Sequence, residues 1–339
     1  MKIFPLHLIP NDTRIDFLRL RTVSLLAALL LAIGAFGAIA YNQFAKGVAF
    51  NYALDFTGGV GVELHFERPP GVDAVRERLE KAGFASAQVQ TYGTGSDLLV
   101  RLQDDGRHAA QTGEVGGRGA DGESAAAGIA QRIASAASVA GNPAEVRSSS
   151  VISAQVGRDL ARNAVLAMLF VLIGFMAYIA FRFEWKFAVA AILCTLHDVL
   201  VVAGFFALTQ REFDLTLLAG LLTVMGFSIN DTIVVFDRVR ENFRTMRADP
   251  NTILNVSVNQ TLSRTIITSV VAFLTGLALY MYGGGSLEGM AVSQMLGIVI
   301  GTLSSIFIAC NLLTFGPLRV TKQDLLPKAR DEAALARRP

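Results

Sequence analysis

Asp231 lies inside an otherwise apolar run, Leu215 to Phe236, which reads LTLLAGLLTVMGFSINDTIVVF. At 1.5 Å per helical residue the run extends about 33 Å, enough to cross a bilayer. A carboxylate at that depth costs about 2.5–3.5 kcal/mol on insertion scales, and the usual reason to keep one is proton or ion movement. On a helical wheel Thr216, Gly220, Thr223, Ser228 and Asp231 share one stripe, with Asn230 at its edge and Leu, Ile, Val and Met opposite. A small, polar stripe belongs against another helix or a wet cavity rather than lipid. Arg264 opens the next apolar run, Thr265 to Tyr282. Successive spans are antiparallel, so Asp231 and Arg264 are expected at similar depth in the cytoplasmic half of the membrane. Arg keeps its charge at any working pH. An acid beside it alternates between paired and protonated forms when burial and water access tune it, which is the physics of a proton carrier. The plainer alternatives are a structural ion pair, or an Arg264 that snorkels to the interface. Asn230 reads as a tie to a neighbouring helix or backbone.

A second polar group, His197-Asp198, sits near the middle of the run Phe187 to Leu208. It reads either as a proton relay or as a hydrogen-bonded knot between helices. The sixth run carries Ser293, Gly297, Gly301, Ser305 and Ala309 at steps of four. Such a seam lets another helix approach closely, either inside the chain or on a partner. Asp55-Phe56-Thr57-Gly58-Gly59 lacks the Lys and Ser/Thr of a phosphate loop, and no helix is expected to start there, so it reads as a turn into a strand. Asp237 to Asn242 reads as a solvated, charge-laced helix end. Cys194 and Cys310, the two cysteines, both lie in apolar runs and read as small membrane hydrophobes. No metal-ligand spacing is present, no cofactor is expected, and no Walker motif or nucleophile elbow suggests an enzyme.

The elements that must position these residues follow from composition. The chain has 339 residues, 52% hydrophobic and 17% charged, against about 25% charged in a soluble domain. Six apolar runs are long enough to span: about 22–40, 161–181, 187–208, 215–236, 265–282 and 290–315. Lys and Arg concentrate in the first 21 residues, in 182–186, in 238–264 and in the tail from 317, whereas the loops 209–214 and 283–289 hold only Arg211. The bias places both termini in the cytoplasm of a multi-pass inner-membrane protein. The expected organisation is a cytoplasmic segment at 1–21, a first span at 22–41, a periplasmic domain at 42–160, five further spans within 161–316 and a cytoplasmic tail at 317–339. Within the periplasmic segment the pattern predicts strand 60–66, helix 72–83 with Val75, Leu79 and Ala82 inward, and a hairpin of 87–92 with 97–102. A flexible insert at 104–124, helix 125–139 and strand 145–152 follow. The order β-α-β-β-α-β is the ferredoxin-like pattern of a small α+β domain.

Several stretches, taken in order, resemble the motifs of a known family. They are LDFTGG at 54–59, FRFEWK at 181–186, HDV at 197–199, GFSINDT at 226–232 running into DRVRENF at 237–243, TLSRT at 261–265 and GTLSSIF at 301–307. Together they are similar to the SecF family of protein-export membrane subunits, within the SecD/SecF group of the resistance–nodulation–division superfamily. The resemblance covers nearly the whole chain, and the insert at 104–124 makes the external domain longer than the compact family form. It implies a helper of the Sec translocon driven by the proton motive force, with SecD as obligate partner. SecYEG, unfolded preprotein, YajC and YidC are the wider partners it implies. In that family an Asp in the fourth span and an Arg at the start of the fifth are needed for proton conduction, and these positions match Asp231 and Arg264. The competing expectations are a small-molecule efflux transporter and a structural adaptor whose polar residues only hold helices together.

Overall fold

The computed structural model describes residues 15–84, 87–92, 95–102, 120–139, 141–152 and 154–321. Six of its helices are long and apolar enough to cross a membrane. They are α1 (Arg21–Lys46), α5 (Ala154–Arg182), α6 (Trp185–Thr209), α7 (Leu215–Thr245), α8 (Pro250–Tyr282) and α9, which starts at Glu288 and continues through a π turn, Ser305–Ala309, to Leu312. The third, fourth and sixth spans (α6, α7, α9) are about half buried, at 44%, 56% and 56% of their apolar windows, whereas the other three bury 6–17%. The small and hydroxyl-bearing residues on α7 and α9 explain this centre, because they let backbones come close.

Two spans run further than their apolar cores suggest. Span four continues nine residues past Phe236 to Thr245, and span five begins at Pro250 rather than near Thr265. The Asp249 side chain accepts a hydrogen bond from the Thr252 amide at 3.1 Å, with Pro250 in the first turn, so the start is a capped N-terminus. The stretch 250–264 is amphipathic: Ile253, Leu254, Val258 and Leu262 are buried while Asn251, Thr252, Gln260 and Arg264 are exposed. Hydropathy alone under-reads such a segment. Arg264 therefore lies well inside a helix and does not open one.

Between the first two spans sits the sheet domain. Strands β2 (Gly59–Phe66), β3 (Gln88–Tyr92), β4 (Asp97–Leu102) and β5 (Ala144–Ile152) pair antiparallel in the order β3-β4-β2-β5. Helices α3 (Val72–Lys81) and α4 (Ala120–Ala137) complete the β-α-β-β-α-β order. Val62, Leu64 and Phe66 of β2 and Leu98 and Val100 of β4 alternate inward onto Val75 and Leu79 of α3 and Ile133 of α4. Ala82 is not on the inner face, because α3 ends at Lys81; Phe84 folds back into the core instead. Helix α4 starts five residues before Ala125, and the remainder of the insert, 104–119, lies outside the described residues.

A short junction joins this domain to the membrane helices. The sequence LDFT forms one helical turn, α2 (Leu54–Thr57), rather than an open turn, and Gly58 follows with φ 73°. Strand β1 (Asn51–Tyr52) pairs in parallel with β6 (Glu212–Phe213), which lies between spans three and four. Phe213 is surrounded by Phe50, Tyr52 and Phe56, with ring centroids 4.6–6.0 Å apart.

Candidate functional site

Span six lies along span four through its small-residue seam. A β-carbon built on Gly220 would meet Ser293 and the Met290 backbone; one on Gly297 would strike Val224; one on Gly301 would lie 3.5 Å from Ser228 Cβ. The seam is thus internal, and its glycines permit the approach. One step further along, Ser305 comes within interaction range of the Asp231 carboxylate. The π turn begins at Ser305. A π turn adds a residue to the helical turn, and such turns recur at functional sites.

Asp231 is buried. Its Oδ1 accepts a hydrogen bond from Thr265 Oγ1 at 2.7 Å, and its Oδ2 has no hydrogen-bond partner among the described residues. A hydroxyl ladder continues from Thr265 between spans five and six. Ser269 Oγ donates to the Thr265 carbonyl at 2.7 Å, and Thr302 Oγ1 donates to Ser269 Oγ at 2.6 Å. Arg264 does not pair with Asp231. Its side chain points to the exposed surface of this chain and acts on the carboxylate through space, while the next residue, Thr265, makes the contact. The reason is angular: neighbours on a helix point about 100° apart, so only one of them can face span four.

The polar residues expected to support Asp231 divide into two groups. Ser228 is fully buried and donates to Asp198 Oδ2 at 2.6 Å. Ser304 donates to the same oxygen at 2.7 Å, and His197 Nδ1 lies 3.0 Å from Asp198 Oδ1. Spans three, four and six therefore meet at Asp198, which has the geometry of the knot. The structure does not bring Thr223 or Asn230 to the site. Both are exposed, and Thr223 bonds its own helix at the Ala219 carbonyl, 2.9 Å away. Consecutive residues of span six, Ser304 and Ser305, thus serve two different acids. Sequence reasoning missed Thr265 and Ser304, since a hydroxyl in an apolar run most often satisfies its own i−4 carbonyl. Ser304→Ala is expected to lower stability by about 1–3 kcal/mol, the range for losing a buried hydrogen bond, measured as thermal unfolding in detergent.

Cys194 and Cys310 are both buried in the membrane core. Among the described residues no group of three or more His, Cys, Asp or Glu side chains could hold a metal ion.

Residues 132–317 match the family model described as "Protein export membrane protein SecD/SecF, C-terminal". The chain is 41% identical to the protein translocase subunit SecF of Pseudomonas aeruginosa over 94% of its own length and 96% of the relative's. It is 38% identical to that of Escherichia coli O157:H7 over 78% and 77%. Among solved structures it resembles SecDF, a translocon-associated membrane protein from Thermus thermophilus, with a TM-score of 0.74 and 37% identity; 91% of this chain is covered but only 39% of that longer one. The super-membrane-facing form of SecDF matches with a TM-score of 0.60. A family model over more than half of the chain, and relatives of like length at this identity, place this multi-pass bacterial membrane protein in the SecF family of protein-export membrane proteins.

Proposed function

We propose that this chain works with a SecD subunit to turn proton entry into movement of a preprotein at the outer face of the Sec translocon. The observation that carries the reading is Asp231: a buried acid on the central span, with one oxygen held by Thr265 and the other without a hydrogen-bond partner among the described residues. An acid with one fixed and one available oxygen can hold a proton without losing its place. Asp231 is the carrier and Arg264 a fixed charge near it. Thr265 and Ser305 position it, and Asp198 with His197, Ser228 and Ser304 anchors the three central spans. The exposed Arg264 and the periphery of spans one, two and five leave room for a partner in the membrane. Six spans make half of a repeat-built transporter, and the solved SecDF chain is more than twice as long as the part this chain matches. That missing half is SecD in our reading. SecYEG, YajC and YidC are the wider assembly.

The distribution of Lys and Arg supports an inner-membrane protein with both termini in the cytoplasm and the sheet domain in the periplasm. The chain itself hydrolyses nothing in this scheme. The efflux alternative has no observation in its favour. The test is export by inner-membrane vesicles containing the complex. Collapsing the proton gradient should reduce late-stage export to the level of vesicles that lack the complex. Stimulation that persists without a gradient would overturn the reading.

A further inference from the structure

The outer end of span four is held by charged side chains that proton entry does not use. On β4, Leu98, Val100 and Leu102 point to the domain core, so Leu99 and Arg101 emerge on the helix-free face of the sheet. Part of that face lies against the junction and the segment between spans three and four. A β-carbon on Gly61 would meet the Leu54 side chain of the junction, and Leu99 shares a cleft with Asp214 and Glu288 at the rim. Arg101 is almost wholly buried there, 3% exposed, and forms an ion pair with Glu212 of β6. Asp214 and Asp55 also attract it.

The same acids fix the backbone of span four. Asp55 Oδ2 accepts from the Leu215 amide at 3.1 Å, and Asp214 Oδ1 accepts from the Leu217 amide at 2.7 Å. These are among the free amides of the first helical turn, where a carboxylate also meets the positive end of the helix dipole. The parallel bridge Asn51–Glu212 and Tyr52–Phe213 joins the two segments that carry Asp55 and Glu212. The Ala53 amide bonds the Phe213 carbonyl at 2.9 Å.

We infer that Arg101, Glu212, Asp55 and Asp214 form a strut through which the sheet domain positions the first turn of span four, and through it Asp231. The helix supplies the rest of the lever. Leu215 and Asp231 lie on one uninterrupted helix, separated by about 24 Å at 1.5 Å per residue. A rotation or axial shift at the outer end is therefore delivered to the acid. Among the described side chains of the sheet strands, Arg101 is the one that forms an ion pair with this cluster, so it is the link to test. Burial pushes the Arg101 guanidinium down to about 10, against the pull of Asp214 and Asp55. Burial also raises the Asp214 carboxyl above its ordinary value. Both directions are those of charged groups withdrawn from water.

The proposal rests on the proton-coupled reading, so the experiment measures proton uptake and export separately in the reconstituted complex with SecD. Arg101→Gln should keep proton uptake and lose about tenfold in gradient-driven export. Arg101→Lys, which retains the charge, should recover at least half of the export. Undiminished export by Arg101→Gln, or no recovery of export by Arg101→Lys, would overturn the inference. Absence of any gradient response in the unmodified complex would instead reject the proton-coupled reading beneath it.

Discussion

Asp231→Asn is expected to abolish gradient-driven export by the complex while the fold stays intact. The amide has nearly the shape of the carboxyl. Its carbonyl oxygen can still accept from Thr265 Oγ1, which holds Oδ1 at 2.7 Å. What it cannot do is gain and lose a proton. The gradient-dependent component of export should fall by about a hundredfold or more, the scale on which loss of a proton-transfer group is felt. Stability should change little, because no buried charge is created and the seam with Ser305 keeps its volume. Asp231→Glu retains the titratable group but adds a methylene at the packed contact between spans four and six, so a partial activity is expected. Export by vesicles and thermal unfolding in detergent, measured on one preparation, separate the outcomes. If Asp231→Asn unfolds early but keeps a gradient response, the acid is structural and the adaptor reading is correct.

Gly220→Val should be strongly damaging to the seam. The side chain would press on Ser293, which could rotate away, and on Met290, which could not. The built β-carbon lies 3.1 Å from the Met290 carbonyl oxygen and 3.3 Å from its Cα. The branched methyl groups of valine bring atoms closer still, so spans four and six must separate. Overpacking of a close-packed interior costs about 1–3 kcal/mol. Here the displacement also spreads toward Gly297, Gly301 and the Asp198 knot. A lowered unfolding temperature in detergent and reduced export are expected together. Gly226→Ala on the same helix is the control, because nothing lies within 4 Å of its built β-carbon. A Gly220→Val chain as stable as that control would show that the seam is loose.

Local pattern carried much of this protein. Apolar runs announced the spans because a bilayer demands about twenty apolar residues and satisfied backbone groups. Alternation announced the sheet, and β2 and β4 bury Val62, Leu64, Leu98 and Val100 accordingly. The failures are as physical. Span five was expected to begin with Arg264 because polar residues lower hydropathy, yet the Asp249–Pro250 cap and the amphipathic stripe extend the helix outward. The two-residue β1–β6 bridge has no local signature, since its partners are some 160 residues apart. Asp55 was read as part of a turn because its target, the Leu215 amide, is equally distant.

The residue types and their spacing established, without any coordinates, that an acid sits inside a membrane span and that a small-residue seam runs along another. Depth, periodicity and charge bias are properties of a segment, and a segment carries them wherever it packs. Which groups touch that acid was decided only by tertiary structure. Thr265 rather than Arg264 meets Asp231, Ser228 and Ser304 close around Asp198, and Arg101 reaches the mouth of span four. A contact between two helices depends on their rotation and on a register of a few ångströms, and each is set by the summed packing of the whole bundle rather than by any one stretch of chain.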